Sequence, residues 1–314
     1  MRLLNQAAAA VVKKLLSECH RLGIERHTIA GATVIDCGVQ ASGSREAGRL
    51  LAEVSLAGLG DVQLTRSIVP SLHGSAVAVQ TTEPLKACLA SQYAGWSIQS
   101  EGYHAMASGP IRAAAGRERL FDRIGCRESP DSAVGVLEAS RLPTATICVQ
   151  IAEKCQLAPE KLTLLVAPTT SIAGTLQVVA RSLETALHKL LVLDFDLDRL
   201  TQGEGVAPLP PVANDVATAI ARTNDAILYG AQVVLHVRGD DDSLNQIGPQ
   251  VPSSASAEHG KSFREIFARH NGDFYAVDPL LFSPARVTFV NQETGRSWQF
   301  GQYEPQVLAE SFAN

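Results

Sequence analysis

The segment from residue 162 to residue 189 constrains the fold more than any other part of the chain. Residues 162–166 form a continuous apolar run of strand length, and Pro168 ends that run. From about Thr175 onward, apolar residues recur at spacings of three and four, which predicts an amphipathic helix. These residues are Leu176, Val179, Leu183, Leu187 and Leu190. A buried strand that leads through a short loop into a helix is typical of α/β proteins.

A loop of small polar residues lies between this strand and this helix. Thr169, Thr170 and Ser171 offer hydroxyls and backbone N–H groups with little bulk, so the loop can seat an anion or a polar ligand. On the helix, Arg181 and Glu184 are three residues apart, and their side chains can meet on one face. A Glu held beside an Arg stays ionised and is able to accept a proton. From spacing alone, a solvated surface pair is the commoner outcome.

Two further segments combine polar side chains with turn residues. Ser108 and Arg112 stand in the run Ser-Gly-Pro-Ile-Arg, which offers a hydroxyl and a cation but is also an ordinary turn before a helix. Asn224 and Asp225 precede residues 226–237, which are strongly strand-like. These two side chains therefore either contact a ligand or turn the chain into that strand.

The composition narrows the class of protein. Of 314 residues, 46% are hydrophobic and 19% are charged, which is ordinary for a compact soluble protein. Aromatic residues make up only 5%, and the net charge is −5, so a nucleic-acid partner is not expected. The six cysteines form no Cys-x-x-Cys pair, which predicts free thiols in a reducing, cytoplasmic compartment. The sequence contains no run of about 18 apolar residues, so no membrane span is expected.

Motifs for other common activities are absent from the sequence. There is no G-x-G-x-x-G, no Walker A motif, no H-E-x-x-H and no G-x-S-x-G. The acidic residues 240–242 could bind a cation, but a solvated turn is the better interpretation because no further ligands follow. We therefore expect no metal site.

Helical and strand-like segments alternate along the chain, which predicts an α/β fold with mixed α+β layers. Expected strands are 27–38, 62–69, 75–80, 144–151, 226–237, 286–291 and 296–300. Expected helices, besides the one after Thr175, are 5–16, 44–58, 83–93 and 131–142. Residues 34–64 and 164–193 share the order strand, polar loop, helix, strand. We expect two layered α/β domains, approximately residues 1–150 and 151–314, with a ligand pocket between them.

Four blocks of the sequence resemble methenyltetrahydromethanopterin cyclohydrolases. They are Pro-Thr-Thr-Ser-Ile-Ala-Gly at 168–174, Ala-Arg-Ser-Leu-Glu-Thr-Ala-Leu-His-Lys at 180–189, and the blocks at 108–112 and 222–230. Their order and spacing cover most of the chain. The resemblance implies an enzyme that opens the methenyl bridge of N5,N10-methenyl-tetrahydromethanopterin, or of a close analogue, with water to give the N5-formyl form. It also implies a two-domain α/β fold, a homotrimer and no redox cofactor.

The resemblance also implies roles for individual residues. Glu184 would be the general base that acts on water, and Arg181 would orient it. The implied substrate-binding residues are Ser108, Arg112, Thr169, Thr170, Ser171, Asn224 and Asp225. Two other functions stay open at this point. One is a non-catalytic pterin- or phosphate-binding protein, and the other is a phosphoryl-transfer enzyme, against which the missing Gly-rich Lys motif counts.

Overall fold

A computed structural model describes residues 3–100, 102–273 and 276–313 of the chain. Contacts within the chain divide it into two compact units. The first contains the residues up to Asp61 and Leu85–Val178, and the second contains Val62–Pro84 and the residues from Val179 onward. Each unit combines a six-stranded mixed sheet with helices, so the predicted α/β class is confirmed.

The strands and helices alternate along the chain. The strands are β1 (Glu25–Ile29), β2 (Ala32–Asp36), β3 (Gly60–Arg66), β4 (Ser75–Thr81), β5 (Trp96–Ser100), β6 (Tyr103–Ser108), β7 (Ala133–Glu138), β8 (Leu162–Ala167), β9 (Leu200–Pro208), β10 (Gln232–Val237), β11 (Arg286–Asn291) and β12 (Ser297–Gly301). The helices are α1 (Leu4–Leu16), α2 (Cys19–Leu22), α3 (Arg45–Ser55), α4 (Ile111–Ala115), α5 (Leu120–Ile124), α6 (Ala145–Lys154), α7 (Ile172–Val179), α8 (Ser182–Val192), α9 (Val216–Gly230), α10 (Asp241–Ile247), α11 (Phe263–Arg269) and α12 (Pro305–Ala313).

The first unit is built on a sheet with the strand order β1-β2-β8-β7-β6-β5. Strands β2, β8 and β7 are parallel, and the other neighbours are antiparallel. Helices α1 and α3 cover one face, where they pack against Val134, Val136 and Leu165. Helix α6 covers the other face, against Leu137 and Leu164. The carboxyl ends of three parallel strands therefore meet at one edge of this sheet.

The second unit is built on a sheet with the strand order β12-β11-β10-β9-β4-β3. Strands β10 and β11 are parallel, whereas β12 pairs with β11, β9 with β10 and β4 with β9 in antiparallel fashion. Helices α9, α11 and α12 share an apolar cluster that contains Leu228, Phe263, Ile266 and Leu308.

Several predicted elements are confirmed. The strand at 162–166 is β8, and the helix that begins after Ser44 is α3, whose Ala47 N–H donates to the Ser44 hydroxyl at 3.1 Å. The strands expected at 286–291 and 296–300 are the antiparallel pair β11 and β12. The expected elements at 5–16, 62–69 and 75–80 correspond to α1, β3 and β4. The expected helix at 83–93 is a π-helical segment, Leu85–Gln92.

Two neighbouring predictions are wrong, because a strand lies where a helix was expected and a helix lies where a strand was expected. The helix expected at 131–142 is strand β7, and the strand expected at 144–151 lies in helix α6. Thr144 caps α6, because its hydroxyl accepts a hydrogen bond from the Ile147 N–H at 3.3 Å. Ile147, Cys148 and Ile151 are buried at helical spacing, so their packing outweighs the strand preference of β-branched residues.

Two predicted strands have different bounds. The strand expected at 27–38 is the antiparallel pair β1 and β2, joined at Ala30 and Gly31, which have φ angles of 50° and 89°. The strand expected at 226–237 is wrong in its first part, because residues 226–230 form the last turns of α9 and only Gln232–Val237 is strand. The apolar run continues across this boundary, so its pattern conceals the end of the helix.

The six cysteines are free thiols, as the sequence predicts. Within the described ranges, no helix has the length and apolar character needed to cross a membrane.

Candidate active site

The helix predicted to start near Thr175 and run past residue 189 is interrupted. Helix α7 ends at Val179, and α8 begins at Ser182. Arg181 is the residue that precedes α8, with φ −83° and ψ 5°. The apolar residues predicted to line one side of the helix are nevertheless all buried. The sequence therefore predicted the buried face correctly but not the break, which places Arg181 at a helix start rather than in a helix interior.

Arg181 and Glu184 are both buried. Arg181 is 7% exposed and Glu184 is 3% exposed, so the solvated surface pair is excluded. The Nε and Nη2 atoms of Arg181 are buried and have no hydrogen-bond partner among the described residues. A buried cation with unused donors is costly unless a ligand or water satisfies them. Glu184 lies in the first turn of α8, where the peptide dipoles favour a carboxylate.

Two glycines of β9 allow the start of α8 to approach the second sheet closely. A Cβ atom at Gly205 would lie 2.6 Å from Ser182 Oγ and 3.0 Å from the Leu183 nitrogen. A Cβ atom at Gly203 would lie 2.7 Å from Leu183 Cδ1. Side chains at these two positions would push the first turn of α8 outward. The absence of side chains at these two positions thus allows the turn that carries Glu184 to pack directly against β9.

The loop after β8 is held by its own hydroxyls. Ser171 Oγ donates to the Pro168 carbonyl at 2.8 Å and accepts from the Gly174 N–H at 3.0 Å. Thr175 Oγ1 donates to the Thr169 carbonyl at 2.9 Å. At Gly174 a Cβ atom would lie 1.9 Å from the Pro168 oxygen, so only glycine fits there. Of the three predicted binding residues in this loop, Ser171 is engaged within the loop itself, and Thr170 is half-buried.

Glu138, the last residue of β7, is a polar neighbour of this loop that sequence reasoning missed. Thr169 Oγ1 donates to Glu138 Oε1 at 2.5 Å. Ser108 lies on the adjacent strand β6, where it pairs with Val136, while Met106 pairs with Glu138. Ser108 and Glu138 therefore lie on one face of the sheet. Ser108 is fully buried, and its hydroxyl has no hydrogen-bond partner among the described residues. Ser108 is level with Val136 and Leu165, whereas Thr169 follows Ala167, which is level with Glu138, so the structure does not place Ser108 beside Thr169 along the strands.

Gln177 is a second polar residue that sequence reasoning missed. It lies in α7, is fully buried, and neither side-chain amide atom has a partner within the described part of the chain. The signal in the sequence is a polar residue in an otherwise apolar run, between Leu176 and Val178.

Arg112 is buried, and its guanidinium donates hydrogen bonds to neighbouring protein groups. Nη1 donates to the carbonyls of Leu89 and Ser91 at 2.9 and 3.2 Å, and Nε and Nη2 donate to Glu118 at 2.8 and 2.5 Å. The guanidinium also lies 4.9 Å from the Tyr93 ring centroid. These contacts link α4 to the π-helical segment.

Asn224 and Asp225 lie inside α9 and not in a turn before a strand. The Asn224 amide donates to the Ile220 carbonyl at 2.8 Å. Asp225 is fully buried and accepts from the Phe263 N–H and from Ser311 Oγ, both at 2.7 Å. Burial raises the pKa of Asp225 to about 7, against the opposing effect of these two hydrogen bonds. Asp225 therefore ties α9 to α11 and α12, and its contact with substrate stays a prediction.

Comparison with known proteins places the chain among cyclohydrolase enzymes, since the family model described as Cyclohydrolase (MCH) matches residues 3–312. The chain is 47% identical over 290 residues to the methenyltetrahydromethanopterin cyclohydrolase of Rhodopirellula baltica, covering 91% of this chain and 87% of that protein. It is 43% identical over 310 residues to the protein of that name from Methylobacillus flagellatus, and the match covers 98% of this chain and 94% of that protein. It is 38% identical over 312 residues to the protein of that name from Methanosarcina barkeri, and the match covers 98% of this chain and 97% of that protein. The chain belongs to the methenyltetrahydromethanopterin cyclohydrolase family, which confirms the resemblance seen in its sequence blocks.

Proposed function

We propose that this chain catalyses the reversible hydrolysis of the methenyl bridge of N5,N10-methenyl-tetrahydromethanopterin, or of a close analogue, to the N5-formyl form. The observation that carries the proposal is the start of α8, where the buried residues Arg181 and Glu184 lie three positions apart in the block that resembles the family. A buried acid and a buried cation with unused donors suit a reaction that moves protons and binds a polar group.

The proposed chemistry needs a base more than it needs an electrophilic catalyst. The bridge carbon of the substrate belongs to an amidinium cation and is already electrophilic. The oxygen of water bonds to this carbon while Glu184 takes one of the water protons, which gives a neutral carbinolamine. The bond from carbon to N10 then breaks as N10 takes the proton back from Glu184. The carbinol oxygen loses its own proton when the formyl carbonyl forms, so one proton is released overall.

Arg181 has a positioning role in this proposal. Its planar guanidinium can hold an oxygen atom in a fixed direction through two N–H donors. The unused Nε and Nη2 donors are suited to the oxygen that is added to the bridge carbon or to the carboxylate of Glu184. We further propose that Ser108, Thr169 and Thr170 bind the substrate through their hydroxyls. We propose no metal ion and no redox cofactor, because the substrate carbon needs no further activation.

The proposal is tested by the absorbance of the methenyl chromophore. Purified protein, treated with a metal chelator and given no nucleotide, is expected to remove this absorbance and to yield a product with the mass of the N5-formyl form. Binding of the methenyl compound without loss of its absorbance would favour a non-catalytic carrier instead. Activity that requires an added metal ion would contradict the metal-free mechanism.

We also propose that the protein is cytoplasmic and forms a homotrimer. Both proposals rest on family membership, and the six free thiols suit a reducing compartment. Sedimentation equilibrium measures the assembly state directly, and a mass of one or two chains would contradict the trimer.

A further inference from the structure

The contact between Glu138 and Thr169 fixes what the Thr169 hydroxyl can offer to a ligand. A carboxylate has no proton to give, so in this contact the Thr169 hydroxyl is the donor and Glu138 Oε1 is the acceptor. The hydroxyl has only one proton, and that proton is now used. Thr169 Oγ1 can therefore only accept a hydrogen bond from a ligand.

Glu138 has a second oxygen, Oε2, that no described residue contacts through a hydrogen bond or ion pair. Glu138 is half-buried, and Oε2 is not among the buried polar atoms that lack a partner, so a ligand can reach this oxygen. Glu138 Oε2 and Thr169 Oγ1 are thus two neighbouring acceptors, one of which belongs to a carboxylate.

The neighbouring strand end provides a contrast. Asp36, the last residue of β2, is fully buried, and both of its carboxylate oxygens accept backbone N–H groups of the following loop. The donors are Gly38, Val39, Gln40 and Ala41, at 2.6–3.1 Å. Asp36 therefore closes its own loop, whereas Glu138 keeps acceptor capacity at the carboxyl ends of the parallel strands, where α/β proteins bind ligands.

We propose that Glu138 and Thr169 form the subsite that binds the pyrimidine edge of the pterin ring. A pterin carries an exocyclic 2-amino group and the N3–H group side by side, which are two donors that point in the same direction. Two adjacent acceptors match this edge, and a carboxylate gives the stronger, charge-assisted hydrogen bond. This inference rests on the proposed function, because it names the part of that substrate which Glu138 and Thr169 bind. Glu138 acts in binding and takes no part in the proton transfers.

The experiment measures binding of 6-methylpterin and of its analogue without the 2-amino group, by fluorescence titration. The proteins compared are the wild type, Glu138→Gln, Thr169→Val and, as a matched control, Glu153→Gln. Glu153 is an exposed residue of α6 in the same unit. We expect the wild type and Glu153→Gln to bind the amino compound more tightly than its analogue. In Glu138→Gln, the ratio of the two affinities should be about 10- to 100-fold smaller than in the wild type. Thr169→Val should lose part of it.

Turnover of the methenyl substrate provides the second measurement. Glu138→Gln is expected to raise KM by about 10-fold or more and to leave kcat within about threefold, since the residue contributes to binding alone. An undiminished preference for the amino compound in Glu138→Gln, or a wild type without that preference, would overturn the subsite. So would a loss confined to kcat, which would place Glu138 beside the bridge carbon. If Glu138→Gln does not fold, an undiminished preference in Thr169→Val overturns the proposal.

The two proposals fail in distinguishable ways. A wild type that prefers the amino compound but leaves the methenyl chromophore intact contradicts the proposed function and supports the subsite. A wild type that turns over the methenyl substrate, with a KM unaffected by Glu138→Gln, contradicts the subsite alone.

Discussion

Arg112 and Arg181 are both buried, but they differ in how many of their guanidinium N–H donors have hydrogen-bond partners. The Nε, Nη1 and Nη2 atoms of Arg112 all donate to protein acceptors. In Arg181, Nε and Nη2 have no hydrogen-bond partner in the described part of the chain. The first pattern is that of a residue that stabilises the fold, and the second is that of a residue with donors reserved for a ligand.

This contrast predicts different effects of the same substitution. Arg181→Lys should lower kcat about 10- to 100-fold with little change in melting temperature, because a mobile ammonium cannot hold an oxygen as a planar fork does. Arg112→Lys should lower the melting temperature, since two buried carbonyls and the half-buried Glu118 carboxylate lose donors. The measurements are steady-state kinetics and thermal unfolding of both variants.

A normal rate in Arg181→Lys, at any pH where the wild type is active, would return Arg181 to a structural role. A large loss of thermal stability in Arg181→Lys would also contradict the account, because it would show that its guanidinium holds the fold together.

Helix α8 is positioned at both ends by residues of its own unit. Gly203 and Gly205 admit its first turn against β9, and Lys189, near its last turn, donates to the Leu280 carbonyl. Burial lowers the pKa of Lys189 to about 8. Glu184 therefore lies on a helix that packs against β9 at its first turn and contacts Leu280 near its last turn, which favours accurate placement of reacting groups.

Helices α9, α11 and α12 meet at the buried carboxyl of Asp225, which makes their stability depend on pH. The folded-state pKa of Asp225 is about 7, above the ordinary value of 3.8, so the native state binds this proton more tightly than the unfolded state. The resulting stabilisation is complete below about pH 4 and is lost as the pH rises to about 7. Asp225→Asn should remove this dependence, so the difference in stability, wild type minus variant, should fall across that range.

The measurement is the free energy of unfolding in urea at several pH values between 4 and 8, for the wild type, Asp225→Asn and Asp242→Asn. Asp242 is an exposed carboxylate in α10 and serves as the control. A pH-independent difference between the wild type and Asp225→Asn would contradict the raised pKa.

At the scale of elements, the sequence predicts what depends on local pattern and misses what depends on packing. Strand β8 is predicted by the length of its apolar run, and the helix expected at 44–58 is α3. Strand β7 and helix α6 were exchanged, because their β-branched and small residues suit either state until they are packed. The end of α9 was missed because the apolar composition does not change there.

At the scale of the whole molecule, the sequence predicts the α/β class and the family. The motif blocks pointed to Arg181 and Glu184, and the structure adds that both are buried. Glu138 could not be predicted, because its partner Thr169 is 31 residues away and belongs to another strand end. Neither could the buried, bonded state of Arg112, which depends on Leu89 and Glu118. Sequence shows which side chains are available, and burial decides which of them keep unused hydrogen-bonding groups.

Single-turnover loss of the methenyl chromophore by Glu184→Gln tests whether Glu184 is the base that takes a proton from water in the proposed reaction. An amide cannot take a proton from water, so we expect the rate to fall about 10²- to 10⁴-fold at saturating substrate. Substrate affinity and melting temperature should stay close to those of the wild type. A variant that binds substrate normally and hydrolyses it at the wild-type rate would contradict the account.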